Sequence, residues 1–512
     1  MTAAPARRPP ARALPPRRWR PLLCGAGLLA ILADLGGCAV GPNFHHPAAP
    51  ATDFAQAGRP ARTDSVAGTD GQAQTFRPGA DIPAQWWALF RSPALDRLVR
   101  HALANSPTLD SARHALRVAQ ENRAAQAGVL YPSISASFNP ARFKTSRTYS
   151  PVPNSNSWLY TVHTAQLNIS YQADIWGGLR RGIEASGAQR DAERYQLEAA
   201  YLSLTGELVQ AAIAYAALRA QVDTVQEMIA SQHQILDSAT RQMALGQMAD
   251  SDLAVQRAQL AQDEATLVPL RQQLSQQHDQ IAALAGDMPD DPTPDFTLDG
   301  FTLPQDLPVS VPARLIDQRP DLKVAEADWH AACAQVGVAI ANRLPNLQLS
   351  AQPGVAAASI GQMFVPGYGQ WMIAGMVSQP LFQGGQLMHQ ERAARAQYEQ
   401  AADEYRAAVV SAVQDVTDSL NAVSFDATAL VADTNAERAA TRGLDIARAR
   451  LAYGDASRVD MLLATQTALQ ARLTLAQARA ARLSDTAGLF QSLGGGWWNR
   501  HDAPAAHGGW PP

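Results

Sequence analysis

The chain has 512 residues, of which 46% are hydrophobic, 6% aromatic and 17% charged, with a formal net charge of -4. Its apolar content is largely Ala, which suits close helix-on-helix packing better than a thick core of large side chains. Six Arg and one Asp fall within the first 37 residues, so the rest of the chain carries about -9, which argues against a general nucleic-acid binder.

Arg7, Arg8, Arg12, Arg17, Arg18 and Arg20 form a basic segment ahead of an apolar run from Leu22 to Ala33. The run is too short to cross a bilayer and reads as an export signal over residues 1–37. Leu35-Gly-Gly-Cys38 closes it in the pattern of a bacterial lipoprotein cleavage site, making Cys38 the first residue of the mature chain and its lipid carrier; the alternative is an unmodified Cys after an ordinary signal. Ala39, in place of Asp, favours release to the outer membrane. The remaining cysteines, Cys24 and Cys333, offer neither a disulfide framework nor zinc spacing.

Residues 38–83 are rich in Pro, Ala, Gly and Thr without a period and read as a tether. Gln85-Trp-Trp-Ala-Leu-Phe90 opens the folded part, with the tryptophans docking the chain on helices. A helix is expected over 93–127, with Pro107 marking a kink or break, and Tyr131-Pro132 stops it. Ile134, Ala136 and Phe138 then alternate with Ser133, Ser135, Ser137 and Asn139, a strand with one apolar and one polar side. Residues 140–160, with three Pro, read as a polar loop. A second strand follows, with Leu167, Ile169, Tyr171 and Ala173 facing away from Asn168, Ser170 and Gln172.

At Gly177-Gly178 the pattern changes to an Ala- and Gln-rich helix as far as Leu245, roughly 65 residues and on the order of 100 Å. Gly246 suits its end, and a return helix runs from Ser251-Asp252 to Gly286. Residues 287–312 read as a linker between halves, and Arg319-Pro-Asp321 restarts a helix. The second half then follows the same plan: Leu344-Pro345 answers Tyr131-Pro132, strands follow near 347–352 and 371–382, and a second long helix ends at Tyr453-Gly454. Gly246 and Gly454, Asp252 and Asp460, and Gly286 and Gly494 are each 208 apart, which marks an internal duplication with repeats at 84–286 and 313–494. Residues 495–512 are expected to be a disordered tail, with Gly494-Gly-Gly496 a flexible exit.

Each half thus supplies two strands of membrane-spanning length with one apolar face. Four strands cannot close a barrel and an open edge is not tolerated in lipid, so copies must associate. The polar strand faces then line a lumen, while the long helices, too polar for lipid, stay in water. Enzyme signals are absent: the 11 His are scattered, and His330 near Cys333 lacks further metal ligands. No cofactor is expected beyond a covalent lipid on Cys38.

Cys38-Ala-Val-Gly-Pro-Asn-Phe44, Gln85-Trp-Trp-Ala-Leu-Phe90, Asp174-Ile-Trp-Gly-Gly-Leu-Arg-Arg181, Arg319-Pro-Asp-Leu-Lys-Val-Ala-Glu326, Gln379-Pro-Leu-Phe-Gln-Gly-Gly385 and Tyr453-Gly-Asp-Ala-Ser-Arg-Val-Asp460 run through nearly the whole mature chain. In these the chain resembles the outer membrane efflux protein family (TolC-like), in its NodT-type lipoprotein branch. The resemblance implies an α+β membrane protein: a homotrimer with a twelve-stranded outer-membrane β-barrel and a periplasmic α-helical barrel. It also implies a periplasmic membrane-fusion adaptor and an inner-membrane pump, commonly of the resistance-nodulation-division type, as partners in exporting drugs and other small toxic molecules. Other readings are a conduit for type I protein secretion, or a lipid-anchored coiled-coil scaffold without a pore.

By the same resemblance, the two helix-turn-helix tips meet the adaptor and form the entrance. Leu245, Gly246, Gln247 and Asp252 belong to the first tip, and Gly454, Asp455, Ala456 and Ser457 to the second. Tyr453, Arg458, Val459 and Asp460 are the candidate gate, where three like charges across a narrow pore would favour cations. Ser457 and Asp460 also stand at capping-box spacing, so gate and helix cap remain alternatives for Asp460. The family often has a further Asp one turn on; here Leu463 stands there.

Overall fold

The computed structural model describes residues 39–47, 60–68, 70–146, 159–309 and 312–500. The export signal and Cys38 lie outside the described residues. The chain divides into two units: one holds 127–182 and 335–392 with the segment up to Pro42, the other holds 43–126, 183–334 and 393–512.

The first unit is built on an antiparallel sheet. β2 (Ser133–Lys144) pairs along its whole length with β3 (Leu159–Ala173), with Ile134 opposite Ile169 and Phe138 opposite Ala165. β3 pairs on its other side with β5 (Asn346–Ala351) and β6 (Gly354–Ala357), which are one strand broken at Gln352-Pro353. β8 (Ile373–Ser378) and the short β7 (Gly369–Gln370) form the last, likewise broken strand. Backbone bonds between Gln352 and Met372 at 2.8 and 3.3 Å carry the ladder across both breaks. Six segments therefore act as four strands, in the order β2, β3, β5/β6, β8/β7. The expected loop at 140–160 is shorter than read, because Pro140 lies inside β2. That strand forms one edge of the sheet, where the missing N–H of proline costs no ladder bond on the open side.

In the second unit, α1 (Pro93–Asn105) and α2 (Pro107–Gly128) share a true break at Ser106. α3 (Gly178–Ala244) and α7 (Gln386–Ala452) are each 67 residues long and stand 208 apart from first residue to last. α4 (Asp250–Ala285) and α8 (Arg458–Ser492) are the return helices, and α5 (Pro312–Gln318) and α6 (Pro320–Ala341) lead into the second half. Trp86 and Trp87 are buried as expected, Trp86 stacking on Phe490 with ring centroids 5.8 Å apart. Buried aromatic and aliphatic side chains of this kind contribute about 2–3 kcal/mol each. Around them lie Phe90, Leu95, Leu208, Ile213 and Leu483, all essentially inaccessible.

Two segments depart from the sequence reading. Part of the expected tether is folded: β1 (Thr75–Pro78) pairs in parallel with β4 (Asp306–Val309), a strand inside the expected linker. The start of the expected tail, residues 495–500, is docked rather than loose. Gly494, Gly495 and Gly496 all have left-handed φ, of 94°, 63° and 73°. A Cβ on them would lie 2.2 Å from Gln318 O, 2.3 Å from Leu202 Cδ1 and 2.5 Å from Ile82 O. The triple glycine is thus a close-packed turn that only glycine fits. Beyond it Trp497 Nε1 donates to Gln318 O at 2.7 Å and Arg500 Nη2 to the Glu198 carboxylate at 2.7 Å. Among the described residues, no helix is long and apolar enough to cross a membrane.

Candidate functional site

The register sorts the sheet into two chemically distinct faces. Ile134, Phe138, Leu167, Leu349, Ile373 and Val377 share one face and are all exposed in the single chain. An apolar face left uncovered over four strands is what lipid, rather than water, tolerates. On the other face side chains bond along and across strands: within β3 Gln166 Nε2 donates to Asn168 Oδ1 at 2.7 Å, and between strands Asn168 Nδ2 donates to Ser137 Oγ at 3.0 Å and Gln348 Nε2 to Ser170 Oγ at 3.1 Å. The groups engaged there are amides and hydroxyls. Both outer edges, β2 and β8/β7, are without a strand partner among the described residues.

The turn between sheet and helix is set by Asp174. Its carboxylate accepts from the backbone N–H of Leu179 and of Arg180, both at 3.0 Å, filling the open N-terminal amides of α3, and pairs with Arg180 Nε at 3.0 Å. Trp176 Nε1 reaches sideways to Pro345 O at 2.7 Å. The first described residues dock at this same turn. Val40 N–H donates to Trp176 O at 2.9 Å, Arg181 Nε donates to Val40 O at 3.2 Å, and Gly41, with φ of 96°, lies flat on Gly337. Further on, in the second unit, Phe44 stacks on His330 at 4.5 Å and meets Trp329 edge-on at 5.4 Å. His330 Nε2 meets Glu184 Oε1 at 2.9 Å, so this histidine, noted in the sequence beside Cys333, is engaged by an aromatic ring and a carboxylate.

The two tips share one backbone design. Gln247 N–H donates to Gln242 O at 2.9 Å and Gly246 N–H to Met243 O at 2.9 Å; 208 residues on, Asp455 donates to Arg450 O at 2.8 Å and Gly454 to Leu451 O at 3.1 Å. Both are Schellman turns with glycine in the left-handed position. Leu245 and Tyr453 occupy matching, exposed positions. The return helices differ. α8 has a full capping box: Ser457 Oγ accepts from Asp460 N–H at 3.1 Å, while the Asp460 carboxylate accepts from Ser457 N–H at 2.9 Å and from Ser457 Oγ at 2.8 Å. Those bonds hold the Asp460 carboxyl below its ordinary range. α4 has Ala249 at the matching cap position and no side-chain cap, and the Asp252 N–H donates to Ala249 O at 3.1 Å. An Arg450–Asp455 ion pair of 2.9 Å braces the second tip alone, since Gln242 and Gln247 stand at those places in the first.

Sequence reading missed one polar cluster altogether. Arg482, with no exposure, donates to Gln72 O at 2.8 Å, Asp70 O at 3.0 Å and Thr63 Oγ1 at 3.1 Å. One turn earlier Arg479 Nε donates to Asp70 Oδ2 at 2.9 Å and its Nη2 to Asp299 Oδ1 at 2.7 Å. Beside them the Asp426 carboxyl is pushed up to about 7, first by burial and then by the adjoining Asp485, against the pull of Arg482.

An amphipathic sheet whose two outer edges are unpaired among the described residues, in one chain with two 67-residue helices, defines the class of membrane channel proteins. The chain belongs to the outer membrane efflux protein family, whose profile matches residues 98–287 and 311–495. It is 28% identical over 432 residues to the pyoverdine export outer membrane protein OpmQ of Pseudomonas putida, covering 83% of this chain and 91% of that one. It is 24% identical over 473 residues to the toluene efflux pump outer membrane protein TtgC of the same species, covering 91% and 94%. The Campylobacter jejuni CmeC outer membrane channel superposes with a TM-score of 0.80 over 91% of this chain and 97% of that one, at 21% identity, a likeness of fold. The protein is an outer-membrane efflux component of a Gram-negative bacterium.

Proposed function

We propose that three copies join sheet edge to sheet edge into a twelve-stranded barrel, with the long helices forming an α-helical barrel in the periplasm, and that the assembly is the outer-membrane duct of a tripartite pump. A single observation carries this reading: the sheet is polar on one face, apolar on the other and open at both edges, which leaves closure by further copies as its route to a membrane. Cys38 is the lipid anchor in this reading. Docking of Ala39 to Gly41 at the start of α3 supports it, since the lipid would then leave the chain close to the ends of the strands. The partners are a periplasmic membrane-fusion adaptor at the tips and an inner-membrane pump of the resistance-nodulation-division type. Cargo is of the small-molecule class, which the names of the pyoverdine and toluene relatives support.

In this reading Leu245 to Gln247 and Gly454 to Ser457 meet the adaptor, and Tyr453, Arg458, Val459 and Asp460 narrow the entrance. Asp460 serves both as cap and as gate charge: its carboxylate holds the start of α8 while remaining solvent-exposed. Single-channel conductance in a planar bilayer tests this. Purified trimers are expected to give small, cation-favouring openings, enlarged or less selective in Asp460→Ala. Unchanged openings in that variant would leave Asp460 with the cap alone; folded trimers that never conduct would refute the duct.

A further inference from the structure

The barest apolar residues of the first unit lie at one edge of its sheet, beside the turns that join strand to helix. In the strand order, the turn ahead of β5 is gripped from both flanks. From the β3 side Trp176 Nε1 donates to Pro345 O at 2.7 Å, and from the β8 side Gln379 Nε2 donates to Arg343 O at 2.9 Å. The turn ahead of β2, ending in Tyr131-Pro132, is the counterpart of Leu344-Pro345, but one of its flanks faces the open edge of the sheet. At the opposite edge, the segment leaving β8 carries Leu381 and Phe382, exposed by 91% and 88%, more than any other large apolar side chain described except Tyr453. Tyr131 is itself 74% exposed. All four residues sit at the same end of their strands, where strand gives way to helix.

We propose that Leu381 and Phe382 of one copy seat on Tyr131 and Pro132 of the next copy, repeating between chains the grip that Trp176 takes on Pro345 within one. The occupant is a second copy of this chain. The within-chain grip shows how a residue leaving one strand holds the turn ahead of its neighbour, and among the described residues the turn ahead of β2 is the one whose outer flank meets no strand. The chemistry differs in a defined way. The position matching Trp176 at the 208-residue offset is Gly384, so the aromatic has moved two residues toward the strand and lost its N–H. The contact between copies is therefore apolar, ring on ring and proline, where the contact within the chain is a hydrogen bond. The inference rests on the proposed association of copies through sheet edges.

Paired cysteines test it: Phe382→Cys with Tyr131→Cys, and Leu381→Cys with Tyr131→Cys, oxidised in outer-membrane preparations and run on non-reducing gels. Each single variant serves as its own control, and Phe382→Cys with Phe143→Cys, at the far end of β2, as a distance control. The mass of the detergent-solubilised particle is measured alongside. Covalent dimers and trimers from either close pair, absent from all controls, are expected. A trimeric mass without such cross-links, or with equal cross-linking to Phe143→Cys, overturns the latch and leaves the trimer standing. A monomeric mass in the wild type overturns the association itself. Leu381→Ser with Phe382→Ser is expected to lose the heat-resistant trimer band that Phe382→Leu keeps, and equal heat resistance in both would also count against the latch.

Discussion

Residues 61–66 run back along 71–76 as a hairpin, with Val66 N–H on Gly71 O at 2.8 Å, and replacing Arg482 by Met is expected to release that hairpin from α8. The guanidinium has no exposure and gives its protons to two backbone carbonyls, Asp70 O and Gln72 O, and to Thr63 Oγ1, at 2.8 to 3.1 Å. Methionine fills much of the space but donates nothing, so buried acceptors lose a charged partner. Each such bond contributes about 1.5–3 kcal/mol, and removing one member of a buried ionic cluster costs about 3–5 kcal/mol in all. Allowing for the apolar replacement, a loss of about 3 kcal/mol is expected, which is on the order of a hundredfold in local opening. Amide exchange reads this directly. The N–H groups of Thr63, bonded to Gln74 O at 2.9 Å, and of Phe76, bonded to Ala61 O at 3.1 Å, should exchange faster by about that factor. Amides in the middle of α4 should not change. Arg482→Lys, which keeps the charge and loses the planar fork, is expected to fall between the two. Exchange at Thr63 and Phe76 within a few-fold of wild type, in a protein of unchanged helicity, would refute the view that this arginine secures the hairpin.

Asp426 gives a pH prediction. Its carboxyl titrates at about 7 in the folded chain, above its ordinary range, so the folded state holds an extra proton through that window and stability falls as pH rises from about 4 toward 7. After allowance for solvent screening the effect is about 1–2 kcal/mol; Asp426→Asn should flatten the difference between melting temperatures at pH 5 and pH 8, and an unaltered slope would sink the assignment. Gly41→Val should displace the segment after Cys38, because a Cβ there would stand 2.5 Å from Gly337 Cα and the left-handed φ is itself unfavourable for a branched residue. Loss of amide protection at Val40, whose N–H is bonded to Trp176 O, is the expected result, and full protection would show that the backbone finds room.

What could be read from the sequence was whatever repeats. Alternation along Ile134 to Phe138 and Leu167 to Ala173 fixed the faces of β2 and β3, because a period of two leaves no other choice of side. The 208-residue offset was legible only in the landmarks Gly246 and Gly454, Asp252 and Asp460, and Gly286 and Gly494; the structure adds two helices of equal length at that offset and matching backbone bonds at the tips. Capping-box spacing at Ser457 and Asp460 is realised, while the entrance role remains a proposal. Arg482 gave no signal, since an arginine in an Ala-rich helix reads as a solvated face, and its partners lie some 410 residues earlier in the chain. The glycines at 494–496 were misread for a related reason: glycine is common both where chain is loose and where backbones nearly touch, and only the neighbours Gln318, Leu202 and Ile82 decide between them. Pro140 misled in the same way, because its place in a strand depends on that strand being an edge.

The equal span of α3 and α7 restricts how such a chain can change. Shortening one leg by a single residue would draw its tip back by about 1.5 Å and swing it through about 100°, while the other leg stays where it is. Two rods that end in matched turns work like the legs of a stepladder, where a cut to one alone tilts the tread. Length here can drift only in step, a residue from each rod at a time, or by whole repeats of the pattern that brings the same side chains back to the same side.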